Sequence, residues 1–104
     1  MNACNSERYL NECLKSLKKQ TYKNWELIFF DNFSSDNTHR VLEKSKIKNL
    51  KYFYSKKRLK LYHARNLALK KAKGDYITFL DTDDKWRSDK LKKQINFFKK
   101  NKDL

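Results

Sequence analysis

Hydrophobic positions along this chain switch between two spacings, and the switch recurs in order. Tyr9, Leu10, Cys13, Leu14 and Leu17 fall three or four residues apart, the period of a helix that buries one face. Ser6 precedes them as a fitting N-cap, and the helix is expected to end near Gln20. Trp25 to Phe30 (WELIFF) is a short apolar run between polar residues, which reads as a strand buried on both faces. A polar loop over 31–36 leads into a second helix from about Asp36 to Ser45, with Thr38, Val41, Leu42 and Ser45 on one face. Leu50 to Tyr54 is the second predicted strand, and residues 55–60 form a basic loop. A third helix turns Ala64, Leu67, Ala68 and Ala72 inward. Gly74, the only glycine, stands where a helix C-cap needs positive φ. Tyr76 to Leu80 (YITFL) is the third predicted strand, and Ser88 caps a last helix with Leu91, Ile95 and Phe98 toward the core.

Strands that alternate with helices in this way spell βαβ units, hence an α/β fold with an open, mainly parallel sheet and flanking helices. Ligands of such sheets sit beyond the carboxyl ends of the strands. Two acidic groups follow strands directly: Asp31 after Phe30, and Asp81, Asp83 and Asp84 after Leu80. Both are therefore expected at the same edge of the sheet.

Composition bounds the picture. The 104 residues allow one domain, 1–104, and 14% aromatic content is too high for a disordered polar tail. A net charge of +14 raises nucleic acid or an anionic membrane as partners. Yet 21 of the 26 basic residues are Lys, which supply point charge and not the bidentate reading that Arg gives. They are spread through nearly every segment, and ten Asn with no Pro suggest a general Lys/Asn bias. A solvated basic surface is the preferred reading, with no specific nucleic acid and with peripheral membrane contact left open. Cys4 and Cys13 make no CxxC or zinc set, and Cys13 falls on the apolar face of the first helix. No signal peptide or membrane-spanning run stands out, so a cytoplasmic setting is expected.

Three carboxylates within four residues, Asp81, Asp83 and Asp84, repel one another unless a cation intervenes. An oxygen-only set without His or Cys suits a hard metal, Mg²⁺ or Mn²⁺, with coordination positions left for phosphates. The competing reading is that Asp83 and Asp84 merely precede a helix and meet its dipole. The string alone does not decide between them.

Five motifs in order carry a resemblance. Asn5 with Tyr9-Leu10 is similar to a YN...YL opening, and Gln20 to Ile28 to QTYKNxEII. Asp31-Asn32-Phe33-Ser34-Ser35-Asp36 resembles DDGSxD. Ala64 to Leu69 with Ala72 to Ile77 resembles ARNxGLxxAxGEYI, and Phe79 to Trp86 resembles FLDADDxW. Together they resemble the nucleotide-sugar-binding half of the family-2 glycosyltransferases of GT-A fold, over nearly the whole chain. The resemblance implies a nucleoside-diphosphate sugar, expected to be UDP-linked, bound with Mn²⁺ or Mg²⁺. It implies Asp83 as metal ligand, Asp81 on the ribose or the metal, Asn32 at the base where the family has the second Asp of its loop, Asp31 as the first Asp of that loop and a substrate-binding residue, and Arg65 near the diphosphate. Asp84 is the lesser candidate, equally readable as a charge at the next helix start. Asp31 also reads as a turn-forming residue, and Arg65 as a surface helix cation. His39 and His63 match no motif and are read as surface residues.

Two departures qualify the resemblance. The family's opening apolar strand, which lies mid-sheet between the strands matched by 25–30 and 76–80, is expected to be absent or reduced to a stub, and Cys4 replaces a Tyr. The half that binds an acceptor and supplies the general base is not matched, so the chain reads as truncated at both ends, either from an internal Met or as a gene fragment. Three readings follow: the binding module of an inverting, metal-dependent transferase, with a cell-surface glycan or lipid-linked sugar as acceptor; a basic protein for nucleic acid or anionic membrane; and a non-catalytic remnant.

Overall fold

The computed structural model describes residues 1–101; the last three residues of the domain expected over 1–104 lie outside them. Its elements in order are β1 (Asn2–Ala3), α1 (Glu7–Lys18), β2 (Leu27–Asp31), α2 (Thr38–Lys44), β3 (Leu50–Tyr54), α3 (Leu61–Lys71) and α4 (Lys90–Lys100). The strands form a parallel sheet in the order β1-β2-β3, Asn2 opposite Phe30 and Leu27 opposite Leu50. This is the α/β architecture that the sequence implies.

β2 is buried at all five positions because both of its faces are covered. Leu27 and Phe29 join Leu10, Cys13, Leu14, Leu17 and Leu42 in one core. Ile28 and Phe30 meet Ala64 and Ala68 of α3 on the opposite face, as a side-chain period of two requires. The strand begins two residues later than expected, leaving Trp25 and Glu26 before it. Tyr9, read onto the apolar face of α1, is half exposed.

Several expectations need correcting. Residues 76–80 do not form a strand, and Tyr76, Ile77 and Phe79 stand about half exposed while Leu80 alone is buried. A strand needs a neighbour to take its backbone hydrogen bonds, and the neighbour on that side is β1, only two residues long. Between the short β1, the start of β2 and the 76–80 segment lies a cavity of about 970 Å³, lined by Met1, Asn2, Leu27, Ile28, Ile77 and Phe79 among others. Gly74 is not a left-handed cap, since no glycine has positive φ. α3 ends at Lys71, and Ala72 passes straight into extended backbone (φ −74, ψ 140) after donating its N–H to Leu69 O. Asp89, not Ser88, occupies the N-cap position of α4. Ser88 instead accepts a hydrogen bond from Thr21 N at 2.8 Å. α2 starts at Thr38, later than expected, because Asp36 spends its carboxylate on turns. Its Oδ1 accepts from Thr38 N at 3.0 Å and its Oδ2 from Glu7 N at 3.2 Å.

Candidate functional site

The carboxyl ends of β1, β2 and β3 open onto one edge, and the acidic residues gather there. Asp31 ends β2, opposite Ala3 and Tyr54. It is 1% exposed, and each of its carboxylate oxygens accepts a hydrogen bond from the protein. Oδ1 accepts from Ser34 N at 3.0 Å, and Oδ2 accepts from the Tyr52 hydroxyl at 2.7 Å. Asn32, also buried, exchanges two hydrogen bonds with the Leu59 backbone, both at 2.8 Å. Both residues therefore brace the loops beside them.

Between them and α2, Phe33 adopts φ 63, and Asn5, between β1 and α1, adopts φ 51. An aromatic residue in the left-handed region is strained. The Asn5 side chain helps to hold that conformation, its Oδ1 accepting from Ser35 N at 2.8 Å. Ser6 N donates to Thr38 Oγ1 at 2.9 Å, tying the start of α1 to the same turn.

Asp81, Asp83 and Asp84 lie at this edge as well, although no strand delivers them. The face of α1 holds the segment instead. Cys13 Sγ donates to Asp81 O at 3.4 Å, Thr82 Oγ1 donates to Ser6 Oγ at 3.1 Å, and Trp86 N donates to Ser16 Oγ at 3.1 Å. Further on, the buried Gln20 side chain donates to Arg87 O at 2.7 Å and accepts from Leu91 N at 3.1 Å. Asp84 N closes a turn onto Asp81 O at 3.0 Å. One carboxylate oxygen from each of Asp81, Asp83 and Asp84 lies within 4.8 Å of the others, and all three residues are exposed. That donor set fits a hard divalent cation with open positions for water or phosphate oxygens. Arg65 on α3 approaches Asp81, Nη2 to Oδ1 at 4.0 Å, and lies over the Phe79 ring at 5.7 Å.

The structure thus brings Arg65, Asp81, Asp83 and Asp84 together, with Asp31 and Asn32 buried along the same edge. The large cavity is elsewhere: none of these six residues lines it. Cys13 lies under the acidic turn, and burial, then the Asp84, Asp83 and Asp81 charges, pushes its thiol up to about 11. His39 is exposed but stacks on Tyr52, ring centroids 4.4 Å apart. Pattern reading of the sequence passed over Tyr52, Ser16 and Gln20. Tyr52 lies within β3 and Ser16 within α1, where only a polar interruption of the element signals them, and Gln20 lies just past the end of α1.

Comparison with known proteins agrees with this geometry. Residues 1–104 match the model of "Glycosyl transferase family 2". The chain is 46% identical over 104 residues to an Escherichia coli UDP-Glc:alpha-D-GlcNAc-diphosphoundecaprenol beta-1,3-glucosyltransferase, covering 97% of this chain and 40% of that protein. It is 43% identical over 103 residues to an uncharacterized glycosyltransferase of Haemophilus influenzae, covering 97% of this chain and 41% of that protein. Among solved structures, that of S. aureus TarS 1-349 in complex with UDP-GlcNAc superposes with a TM-score of 0.90 at 33% identity, over 97% of this chain and 30% of that one. The chain spans about two fifths of the length of these two curated relatives.

Proposed function

The chain belongs to glycosyl transferase family 2, and on that premise we propose that its carboxyl edge binds a UDP-linked sugar together with Mn²⁺ or Mg²⁺, for transfer of the glycosyl group with inversion. The observation that carries this reading is the cluster of three exposed carboxylates, Asp81, Asp83 and Asp84, on the edge that Asp31 and Asn32 terminate. Asp83 and Asp81 are the residues that would hold the cation. Bound there, it would offset the negative charge that builds on a departing diphosphate. Arg65, the cation nearest Asp81, suits the diphosphate oxygens. In the transfer, an acceptor hydroxyl attacks the anomeric carbon from the face opposite the diphosphate. The bond to the diphosphate breaks with its electrons, and the hydroxyl proton passes to a base that no residue of this chain is assigned to supply.

Relatives support the ligand class. TarS has been solved with UDP and with UDP-GlcNAc, and the E. coli relative is named for a diphosphoundecaprenol-linked acceptor. We extend that to this chain as a lipid-linked or cell-surface glycan acceptor, reached at the cytoplasmic face of a membrane. Among the described residues no helix is long and apolar enough to cross a membrane, while a charge of +14 favours an anionic lipid surface.

Calorimetric titration with UDP, with and without Mn²⁺, on the wild type and on Asp83→Ala tests the reading. Affinity in the wild type should rise at least about tenfold with metal, a gain of roughly 1.4 kcal/mol, and Asp83→Ala should abolish that gain. Equal affinity with and without metal would overturn the assignment.

A further inference from the structure

Asn32 is 8% exposed, and its amide uses both kinds of hydrogen-bonding atom on a single residue. Nδ2 donates to Leu59 O at 2.8 Å, and Oδ1 accepts from Leu59 N at 2.8 Å. Compared with an ionised Asp, only the carboxamide can do both. An ionised carboxylate has no donor and would set a negative oxygen against the Leu59 carbonyl. The preceding residue grips the other end of the same segment, Ser55 N donating to Asp31 O at 2.9 Å. Two consecutive residues at the end of β2 therefore hold both feet of Ser55–Leu59. Within it, Ser55 Oγ bonds the Lys57 carbonyl, and Lys56, Lys57 and Arg58 are the exposed residues between the grips. α3 begins two residues beyond Leu59 and carries Arg65 to within 4.0 Å of Asp81.

We propose that Asn32 is a positioning residue: its two-bond clip on Leu59 holds the Lys56-Lys57-Arg58 turn at the ligand edge, where those cations take the anionic part of a nucleoside diphosphate. This rests on the nucleotide-sugar reading above, and it moves the role of position 32 from touching the ligand to placing a loop. A turn of three cations concentrates positive potential. With its backbone fixed beforehand, less ordering is left to oppose binding.

The test uses Asn32→Ala, Asn32→Asp, the loop variant Lys56→Gln/Lys57→Gln/Arg58→Gln, and that loop variant combined with Asn32→Ala. Each is measured by amide hydrogen exchange at Leu59 and by calorimetric affinity for UDP with Mn²⁺, per folded molecule. Both single Asn32 substitutions should speed Leu59 exchange and weaken UDP by about tenfold, as losing a buried hydrogen-bonded partner does. The loop variant should weaken UDP in the wild-type background and by a clearly smaller factor beside Asn32→Ala, the non-additivity of residues that act together. An Asn32→Asp chain that binds UDP as tightly as the wild type overturns the proposal, because residue 32 would then touch the base. Losses that simply multiply also overturn it. The loop positions are exposed, so if neither Asn32 variant folds, an unchanged UDP affinity in the loop variant still refutes the idea. A wild-type chain that binds no UDP, with Leu59 exchange still responding, removes the nucleotide reading itself and the proposal with it.

Discussion

Tyr52 donates its hydroxyl to Asp31 Oδ2 at 2.7 Å, diagonally across the β2–β3 pair, since Phe29 is the register partner of Tyr52 and Tyr54 that of Asp31. Burial, and then the bond to Asp31, pushes the phenol well above its ordinary range. The proton therefore stays on Tyr52, and the donor stays available to the carboxylate. Asp31 is 1% exposed, so a donor lost there is not replaced by bulk water. Tyr52→Phe should cost about 1.5–3 kcal/mol, the worth of a hydrogen bond to a charged group. Urea unfolding followed by circular dichroism measures it, and an unchanged midpoint would show the bond to be incidental.

Phe33 offers a gain instead of a loss. Its φ of 63 places an aromatic residue in the left-handed region, which costs roughly 1–2 kcal/mol, and the side chain is 41% exposed. Phe33→Gly removes that strain but gives the unfolded chain more freedom, about 0.5–1 kcal/mol against it. The net should be a small stabilisation, on the order of 0.5–1 kcal/mol, seen as a higher urea midpoint. A lower midpoint would mean that the ring's remaining contacts outweigh its backbone strain.

Residues with a strong local signal were legible before the fold was known. The apolar run Trp25 to Phe30 announced a doubly covered strand, which begins at Leu27, past the polar Glu26, and Leu50–Tyr54 was bounded on both sides as found. Cys13 and Ala64 sat at helical spacing, and both are buried. The segment Tyr76–Leu80 misled because β-propensity describes fit to a sheet, and pairing depends on a neighbour that those five residues do not contain. The Asn32–Leu59 clip joins residues 27 apart in sequence, so no local pattern could announce it. Gln20 is similar: a fully buried amide at a helix end has meaning only once Arg87 and Leu91 are beside it.

The two cysteines should separate by reactivity. Cys13 is buried, with a thiol pushed up to about 11 by burial first and then by the neighbouring aspartates. At pH 8 only about one molecule in a thousand would carry its thiolate, the reactive form. Cys4 is half-buried. Iodoacetamide at pH 8 should therefore label Cys4 alone in the native chain and both residues in urea, read by peptide mass. The sign for stability follows from the raised value. The contribution of neutral Cys13 is complete below the ordinary thiol value of 9.0 and is lost as pH rises toward about 11. Native labelling of Cys13 at the same rate as Cys4 would sink this account.

The gap beside β1 sets the last prediction. Met1 donates its terminal ammonium to Ile28 O at 2.8 Å, and burial lowers that amine from 8.0 to about 6. A base with a depressed folded value favours the neutral form, so stability is complete above about pH 8 and falls as pH drops toward about 6. The whole effect is on the order of 2–3 kcal/mol. Adding about six apolar, β-branched residues before Met1 should replace the titrating amine with a peptide group. The added run would also continue the parallel pairing along β2 and bring 76–80 within reach of a strand partner. Trp25 and Trp86 both line the cavity, so their emission should shift to the blue as the added segment fills it. The extended chain should melt higher and lose its pH dependence between 6 and 8. If the melting temperature and the tryptophan emission both stay where they were, the gap does not accept a strand and the exposure of Tyr76, Ile77 and Phe79 needs another cause.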